Sequence, residues 1–261
     1  MTEAGFGADL GAEKFFNIKC RQSGLIPDCA VLVATIRALK MHGGSDRNHL
    51  HIENIEDLHR GCENLARHVA NIRKFGIPVI VALNNFTSDT KAERHALKEY
   101  CSDIGVDMEE CDHWATGGAG AQNLAQKVIS VTDSGPRKFK LLYPSNERLL
   151  SKIETIAVEI YRADSIDFDS KARRSLDELE ALGYGALPIC IAKTPYSFST
   201  DPTLKGAPSG HQISINDIRL SAGAGFVIAE CGEIMTMPGL PSKPAAMDIG
   251  LDKNQQLEGL F

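Results

Sequence analysis

The chain has 261 residues, of which 43% are hydrophobic and 24% charged, and this composition excludes collagen, intrinsic disorder and a coiled coil. Its 28 basic and 34 acidic side chains give a formal net charge of −6, with no sustained run of lysine or arginine. We therefore expect neither nucleic acid nor a membrane surface as a partner, and a chain of this length can bury the core of one large or two smaller domains.

The seven cysteines are scattered and include no Cys-x-x-Cys pair, so we expect free thiols in a reducing cytosol. Residues 2–15, TEAGFGADLGAEKF, contain no signal region, and no apolar run reaches the length of a membrane-spanning helix. The sequence thus predicts a cytoplasmic protein. His49 and His51 have no third ligand at suitable spacing, so no metal site is predicted.

A glycine-rich loop, AGFGADLG at residues 4–11, opens the chain and leads into a helix predicted over residues 10–20. Glycine lets a backbone approach a ligand closely, and the N-terminus of a helix favours anions, so Gly5, Phe6 and Gly7 are candidate ligand-contacting residues. A tight turn that binds nothing explains the same glycines equally well. The loop is not a P-loop, and G-x-x-x-x-G-K-[ST] occurs nowhere in the chain.

Two uninterrupted apolar runs follow, CAVLVAT at residues 29–35 and IPVIVAL at residues 77–83. Such runs are typical of parallel strands covered by helices on both faces, and the periodic segment between them predicts a helix over residues 55–75. A helix near residues 88–102, capped by Ser88 or Asp89, a strand near 106–111 and a helix near 119–131 continue the alternation. The sequence therefore predicts an α/β fold with a parallel sheet.

A shift toward proline, glycine and charge at residues 131–140 predicts a boundary between an α/β domain at residues 1–132 and a smaller α/β domain at residues 133–261. For the second domain we expect helices near residues 146–162 and 168–181, and short strands near 187–192 and 225–230. The proline-rich segment at residues 235–251 is expected to be irregular and to cover a site or a seam.

Polar and aromatic residues follow each predicted strand of the first domain. Arg37 and Lys40 come after the first strand, where they could bind phosphate or carboxylate, or simply form a solvated start of a helix. Phe86 follows the second strand, and Trp114, the only tryptophan, follows the third. The two rings thus meet at one sheet edge, either as a sandwich for a flat heterocycle or as caps on the core.

Several segments resemble the formate–tetrahydrofolate ligase family, and the resemblance extends over the whole chain. The matching stretches are TEAGFGADLGAEKFF, VATIRALKMHGG, HWATGGAG, LPICIAKT, TMPGLPSKPA and the final GLF. Family members are about twice as long, and this chain resembles their carboxyl-terminal half, without the half that carries the P-loop lysine. The resemblance implies an incomplete domain of the P-loop NTPase type.

The resemblance also implies a reaction, in which ATP and Mg²⁺ convert formate to formyl phosphate and the amine of tetrahydrofolate then attacks to give 10-formyltetrahydrofolate. It implies that Phe86 and Trp114 sandwich the pterin and that Gly5, Phe6 and Gly7 belong to a nucleotide-contacting loop. Thr87 stands where some members have proline. The missing amino-terminal half is an expected partner, and the complete ligase is expected to be a homo-oligomer.

Three hypotheses follow from this resemblance, and no catalytic residue is assigned under any of them. The chain is a fragment or truncated form of the ligase that contributes the folate half-site and part of the nucleotide site. Alternatively, it is a catalytically inactive folate-binding fragment or a subunit of a split ligase that pairs with a separate amino-terminal polypeptide. The third hypothesis is an inert truncated product that aggregates through an exposed seam.

Overall fold

The structure is a computed structural model that describes residues 1–135, 137–232, 234 and 243–259. The sequence predicts that the proline-rich segment at residues 235–251 covers a site or a seam. Residues 235–242 of this segment lie outside the described part of the chain. At the end of the described part, Gly250–Leu251 and Leu257–Glu258 form a short antiparallel pair.

Within the described residues, a first sheet contains three parallel strands, which confirms the predicted parallel sheet. Strand β2 lies between β1 and β3, with Leu32 opposite Val81 and Val81 opposite Met108. The strands are β1 (Ala30–Ala34), β2 (Val79–Asn84) and β3 (Asp107–Cys111).

The helices begin and end close to the predicted residues. A helical run of three consecutive segments opens the chain, and the middle segment is π-helical. The helices are α1 (Gly11–Lys14, Phe15–Cys20 and Arg21–Ser23), α2 (Ile36–Gly43), α3 (Ile55–Arg73), α4 (Lys91–Asp103), α5 (His113–Thr116), α6 (Gln122–Thr132), α7 (Leu149–Ile156, continued by the π-helical Ala157–Tyr161) and α8 (Ser170–Ala181).

The start of α4 differs from the prediction in its cap. Thr90, rather than Ser88 or Asp89, caps the helix: its side chain accepts from the amide of Glu93, and the Glu93 carboxylate accepts from the amide of Thr90. This reciprocal capping box leaves Asp89 outside the helix, where its carboxylate accepts from the amide of Phe86.

The prediction that helices cover both faces of β1 is wrong. Val31 and Val33 are 40% and 65% exposed. Because side chains alternate along a strand, both share a face with Ile80 and Ala82 of β2, which are buried. Helix α6 contacts β2 and β3, so β1 is left as an edge strand with an open apolar face.

A second, mixed sheet follows, in the order β4-β6-β7-β5. Strand β6, the longest, was not predicted, because its alternation of buried isoleucines is interrupted by a register shift between Ile215 and Asp217. The strands of this second sheet are β4 (Ser165–Phe168), β5 (Ile189–Ala192), β6 (Gln212–Ser221) and β7 (Phe226–Cys231).

The two sheets share a continuous hydrophobic core. The Tyr161 hydroxyl donates to the Asp9 carbonyl at 3.1 Å, and the Asn71 side chain donates to the Ile160 carbonyl at 2.9 Å. The proposed boundary between residues 132 and 133 stays a prediction. All seven cysteines lie in the described residues and are unpaired, as expected. No helix in that part of the chain is long and apolar enough to cross a membrane.

Candidate functional site

The carboxyl ends of β1, β2 and β3 meet at one edge of the parallel sheet, and each is followed by a residue that the sequence singled out. These residues are Arg37, Phe86 and Trp114. Ligands of open α/β sheets bind at this edge, because the loops beyond the strand ends form a crevice there.

Phe86 stands on a tight turn directly after β2. Its amide donates to the Asp89 carboxylate at 2.9 Å, which fixes the backbone that carries the ring. The side chain is 37% exposed, and the guanidinium carbon of Arg37 lies 5.1 Å from the ring centroid, within cation–π distance. The residues that follow β1 and β2 therefore contact each other at the Phe86 ring.

Trp114 is held in the short helix α5 after β3. Its indole nitrogen donates to the carbonyl oxygen of Asn85 at 2.8 Å, so the ring is tied to the residue that precedes Phe86. The side chain remains 59% exposed. Both rings thus sit on neighbouring loops and keep exposed surface, whereas rings that cap the core would be buried.

Lys40 does not take part in this surface, and neither sequence interpretation of it was right. The side chain is buried, and its ammonium donates to Glu93 at 2.6 Å and to the Ile52 carbonyl at 2.8 Å. Burial would raise the pKa of Glu93, but hydrogen bonds from Lys40 and from the amides of Thr90 and Asn54 hold it below its ordinary value. The pair fastens the loop after α2 to α4.

Three buried oxygens beside the aromatic residues accept no hydrogen bond from the described part of the chain. They belong to the side chains of Asn84, Asn85 and Asp89. Burial raises the pKa of Asp89, although the bond from the Phe86 amide opposes the shift. Sequence reasoning proposed Asp89 only as a cap and missed its role in shaping the turn of Phe86.

The glycine-rich loop leads into helix α1, as predicted, and its Asp9 contacts residues of the second half of the chain. Phe6 has a positive φ of 62° and is 70% exposed. A Cβ on Gly11 would lie 1.9 Å from the Gly5 carbonyl oxygen, so this close approach requires glycine at position 11. Tyr161 and Lys193, which anchor the loop through Asp9, belong to the second half of the chain.

Lys193 is the centre of that anchor, and sequence reasoning gave no signal for it. Its buried ammonium lies 3.6 Å from the Asp9 carboxylate and also donates to backbone carbonyls of the segment that follows, including that of Thr194 at 3.0 Å. Burial lowers the pKa of Lys193, and Asp9 opposes the shift. This ammonium is fully engaged, which suits it to hold the loop rather than to bind a ligand.

Within the described residues, no three His, Cys, Asp or Glu side chains are grouped to hold a metal ion. The chemistry present comprises two partly exposed aromatic rings, a cation beside one of them, and unsatisfied acceptors on neighbouring residues of the chain. These features define the class of protein: an α/β protein with a candidate site for a flat, polar-edged ring at the carboxyl edge of a parallel sheet.

Comparison with known proteins gives the family. The chain matches the family model described as formate–tetrahydrofolate ligase over residues 1–261. It is 59% identical over 261 residues to the formate–tetrahydrofolate ligase of Allorhizobium ampelinum, 57% over 260 to that of Hyphomonas neptunium and 58% over 261 to that of Pelagibacter ubique. The chain belongs to the formate–tetrahydrofolate ligase family.

All of this chain is covered in each comparison, but only 47%, 47% and 46% of the respective relatives. The chain therefore spans about half the length of the curated relatives that it matches.

Proposed function

We propose that this chain is the carboxyl-terminal part of a formate–tetrahydrofolate ligase and that it supplies the tetrahydrofolate site, with the pterin ring held between Phe86 and Trp114. The observation that carries the proposal is the bond from the Trp114 indole to the carbonyl of Asn85, because it holds one partly exposed ring beside the residue that bears the other.

The reaction of the complete ligase would have two steps. Transfer of the ATP terminal phosphoryl group to formate gives formyl phosphate. The N10 amine of tetrahydrofolate then attacks the formyl carbon; the new C–N bond forms, the carbon–oxygen bond to phosphate breaks, and the amine loses its proton. A pterin held by two aromatic rings would fix the folate so that its amine meets the activated carbon in one orientation.

We propose that ATP phosphates and Mg²⁺ are handled mainly by residues outside this chain. The sequence has no G-x-x-x-x-G-K-[ST], and the buried lysines Lys40, Lys152 and Lys193 are already engaged by partners. Gly5, Phe6 and Gly7 would contribute to the nucleotide site, which the exposed ring of Phe6 supports because it offers an aromatic face to an adenine base.

The amino-terminal half of the ligase, which this chain does not span, is the partner that fits the open face of β1. Val31 and Val33 lie on an edge strand, and Ile129 on the neighbouring α6 is also exposed. A further parallel strand and helix from the other half would bury these side chains and complete a domain of the P-loop NTPase type. The second candidate function for the chain alone is a folate-binding subunit without catalysis, which the lack of a P-loop motif in the sequence favours. Homo-oligomerisation of the complete ligase remains part of the proposal.

Titration of tetrahydrofolate against the emission of Trp114 tests the proposal, because this is the only tryptophan. We expect saturable quenching, weakened about tenfold in affinity in Phe86→Ala because a stacking partner is lost. Tyr184→Ala, which removes a ring of similar exposure from another part of the chain, is the matched control. A folded wild-type chain that shows no quenching would contradict the folate site, and formate-dependent ATP turnover by the chain alone would contradict the assignment of phosphate chemistry to the other half.

A further inference from the structure

Arg37 is placed to do more than support the aromatic pair. It is the second residue of α2, whose N-cap is Thr35, and its side chain is exposed. Its guanidinium carbon is 5.1 Å from the centroid of Phe86. None of the ion pairs found among the described residues involves Arg37.

Two other cations on the helices that follow β1 and β2 are already paired. Lys40 is buried against Glu93. Arg94 lies 3.5 Å from the carboxylate of Glu110, which also accepts from the side chain of Asn85. Among the ion pairs of the described residues none engages Arg37, so its guanidinium stacks on Phe86 while its charge has no carboxylate partner there.

Stacking leaves the hydrogen-bonding capacity of a guanidinium intact. A cation–π contact uses the flat face of the group, whereas its N–H donors point outward in the plane, where they match the two oxygens of a carboxylate. The Phe86 ring would thus hold the guanidinium in one orientation and reduce the entropy lost when it binds an anion.

Tetrahydrofolate carries such an anion. Its pterin ring continues into an aminobenzoyl group and then a glutamate with two carboxylates. We propose that Arg37 binds a carboxylate of this glutamyl tail and so distinguishes the complete folate from a bare pterin. The inference rests on the proposed folate site, and it assigns the ring to Phe86 and Trp114 and the tail to Arg37.

Two ligands separate the ring from the tail: tetrahydrofolate, and 6-methyltetrahydropterin, which has the reduced ring but no glutamate. Binding of each is followed by Trp114 emission in the wild type, in Arg37→Gln and in Arg37→Lys, after circular dichroism has confirmed folding. Arg174→Gln, which removes an exposed arginine from α8, is the matched control.

We expect Arg37→Gln to weaken tetrahydrofolate binding by about tenfold, since a charge-assisted contact is lost, and to leave 6-methyltetrahydropterin binding unchanged. Arg37→Lys should recover part of the loss, because it keeps the charge but not the two-pronged geometry. Added salt should weaken tetrahydrofolate binding more in the wild type than in Arg37→Gln.

Equal losses for both ligands would overturn the inference, because Arg37 would then serve only the ring of Phe86. Unchanged binding of tetrahydrofolate in Arg37→Gln would overturn it as well. A folded wild-type chain that binds neither ligand would instead overturn the proposed folate site, and this inference with it.

Discussion

The ammonium nitrogen of Lys40 lies 2.6 Å from a carboxylate oxygen of Glu93, and both side chains are buried. Lys40 belongs to the helix after β1, and Glu93 to the helix after β2. Since Glu93 also accepts from the amide of Thr90, the pair connects α2 with the turn that leads from Phe86 into α4. One buried ion pair thus joins the two helices that follow β1 and β2.

Removal of one partner of the Lys40–Glu93 ion pair should lower the stability of the fold. Lys40→Met leaves the Glu93 carboxylate buried without its cation, and we expect the free energy of unfolding, measured by urea denaturation, to fall by about 3–5 kcal/mol. The double variant Lys40→Met/Glu93→Leu should recover part of this loss, because no charge is left unpaired. Lys171→Met, which breaks an exposed pair with Asp217, is the control and should cost less than about 1 kcal/mol. A Lys40→Met protein as stable as the wild type would contradict the role of the pair.

Stability should rise with pH between about 4 and 6.5. Burial lowers the pKa of His42 from 6.5 to about 4; His68 and Lys205 lower it further and Asp9 opposes them. The neutral ring also accepts from the amide of Gly206 at 3.2 Å. In this window the unfolded chain binds a proton that the folded chain does not, so the free energy of unfolding increases with pH.

Urea midpoints measured across this pH window check the prediction. His42→Gln cannot be protonated in that range, and we expect a flatter dependence, whereas His95→Gln, an exposed control, should keep the wild-type slope. An unchanged slope in His42→Gln would assign the pH dependence to other groups.

The open face of β1 should make the isolated chain self-associate. Val33 is 65% exposed on an edge strand, and light scattering should show a mean mass that rises with protein concentration. Val33→Lys places a charge on this face and should reduce the association, whereas Val158→Lys, at a valine 53% exposed on the π-helical continuation of α7, should not. If the two variants self-associate to the same extent, the β1 face is not the surface through which the chains associate.

The thiols should be unreactive in the native protein. Burial raises the pKa values of Cys62, Cys101 and Cys231 to about 12, so little reactive thiolate is present near neutral pH. With a thiol reagent we expect slow modification at Cys29 and Cys190, which are half-buried, and reaction of the other five only after denaturation. Rapid modification of Cys101 in the folded chain would contradict this packing.

Local sequence was enough to predict the parallel sheet, because β-branched runs favour buried strands and the periodic segment between them favours a helix. It was also enough to bring Phe86 and Trp114 to one edge, since both follow a strand of that sheet. Strand β6 was missed because the register shift between Ile215 and Asp217 breaks its period of two.

Other features depend on parts of the molecule that are distant in sequence. Lys40 has the pattern of a solvated helical residue, and only the fold brings Glu93 to it. The exposure of Val31 and Val33 could not be read from CAVLVAT, because whether an apolar strand is covered depends on what packs beside it. The role of Lys193 likewise arises from Asp9, at the other end of the chain.

That distance has a consequence for how the protein is made. Asp9 precedes Lys193 in the chain, so the glycine-rich loop cannot acquire this anchor until the ribosome has also released Lys193. Residues 4–11 would therefore wait for their native contacts while the segment between Asp9 and Lys193 is translated. During that interval the loop is accessible to proteases, and the formation of the Lys193 contacts ends this exposure.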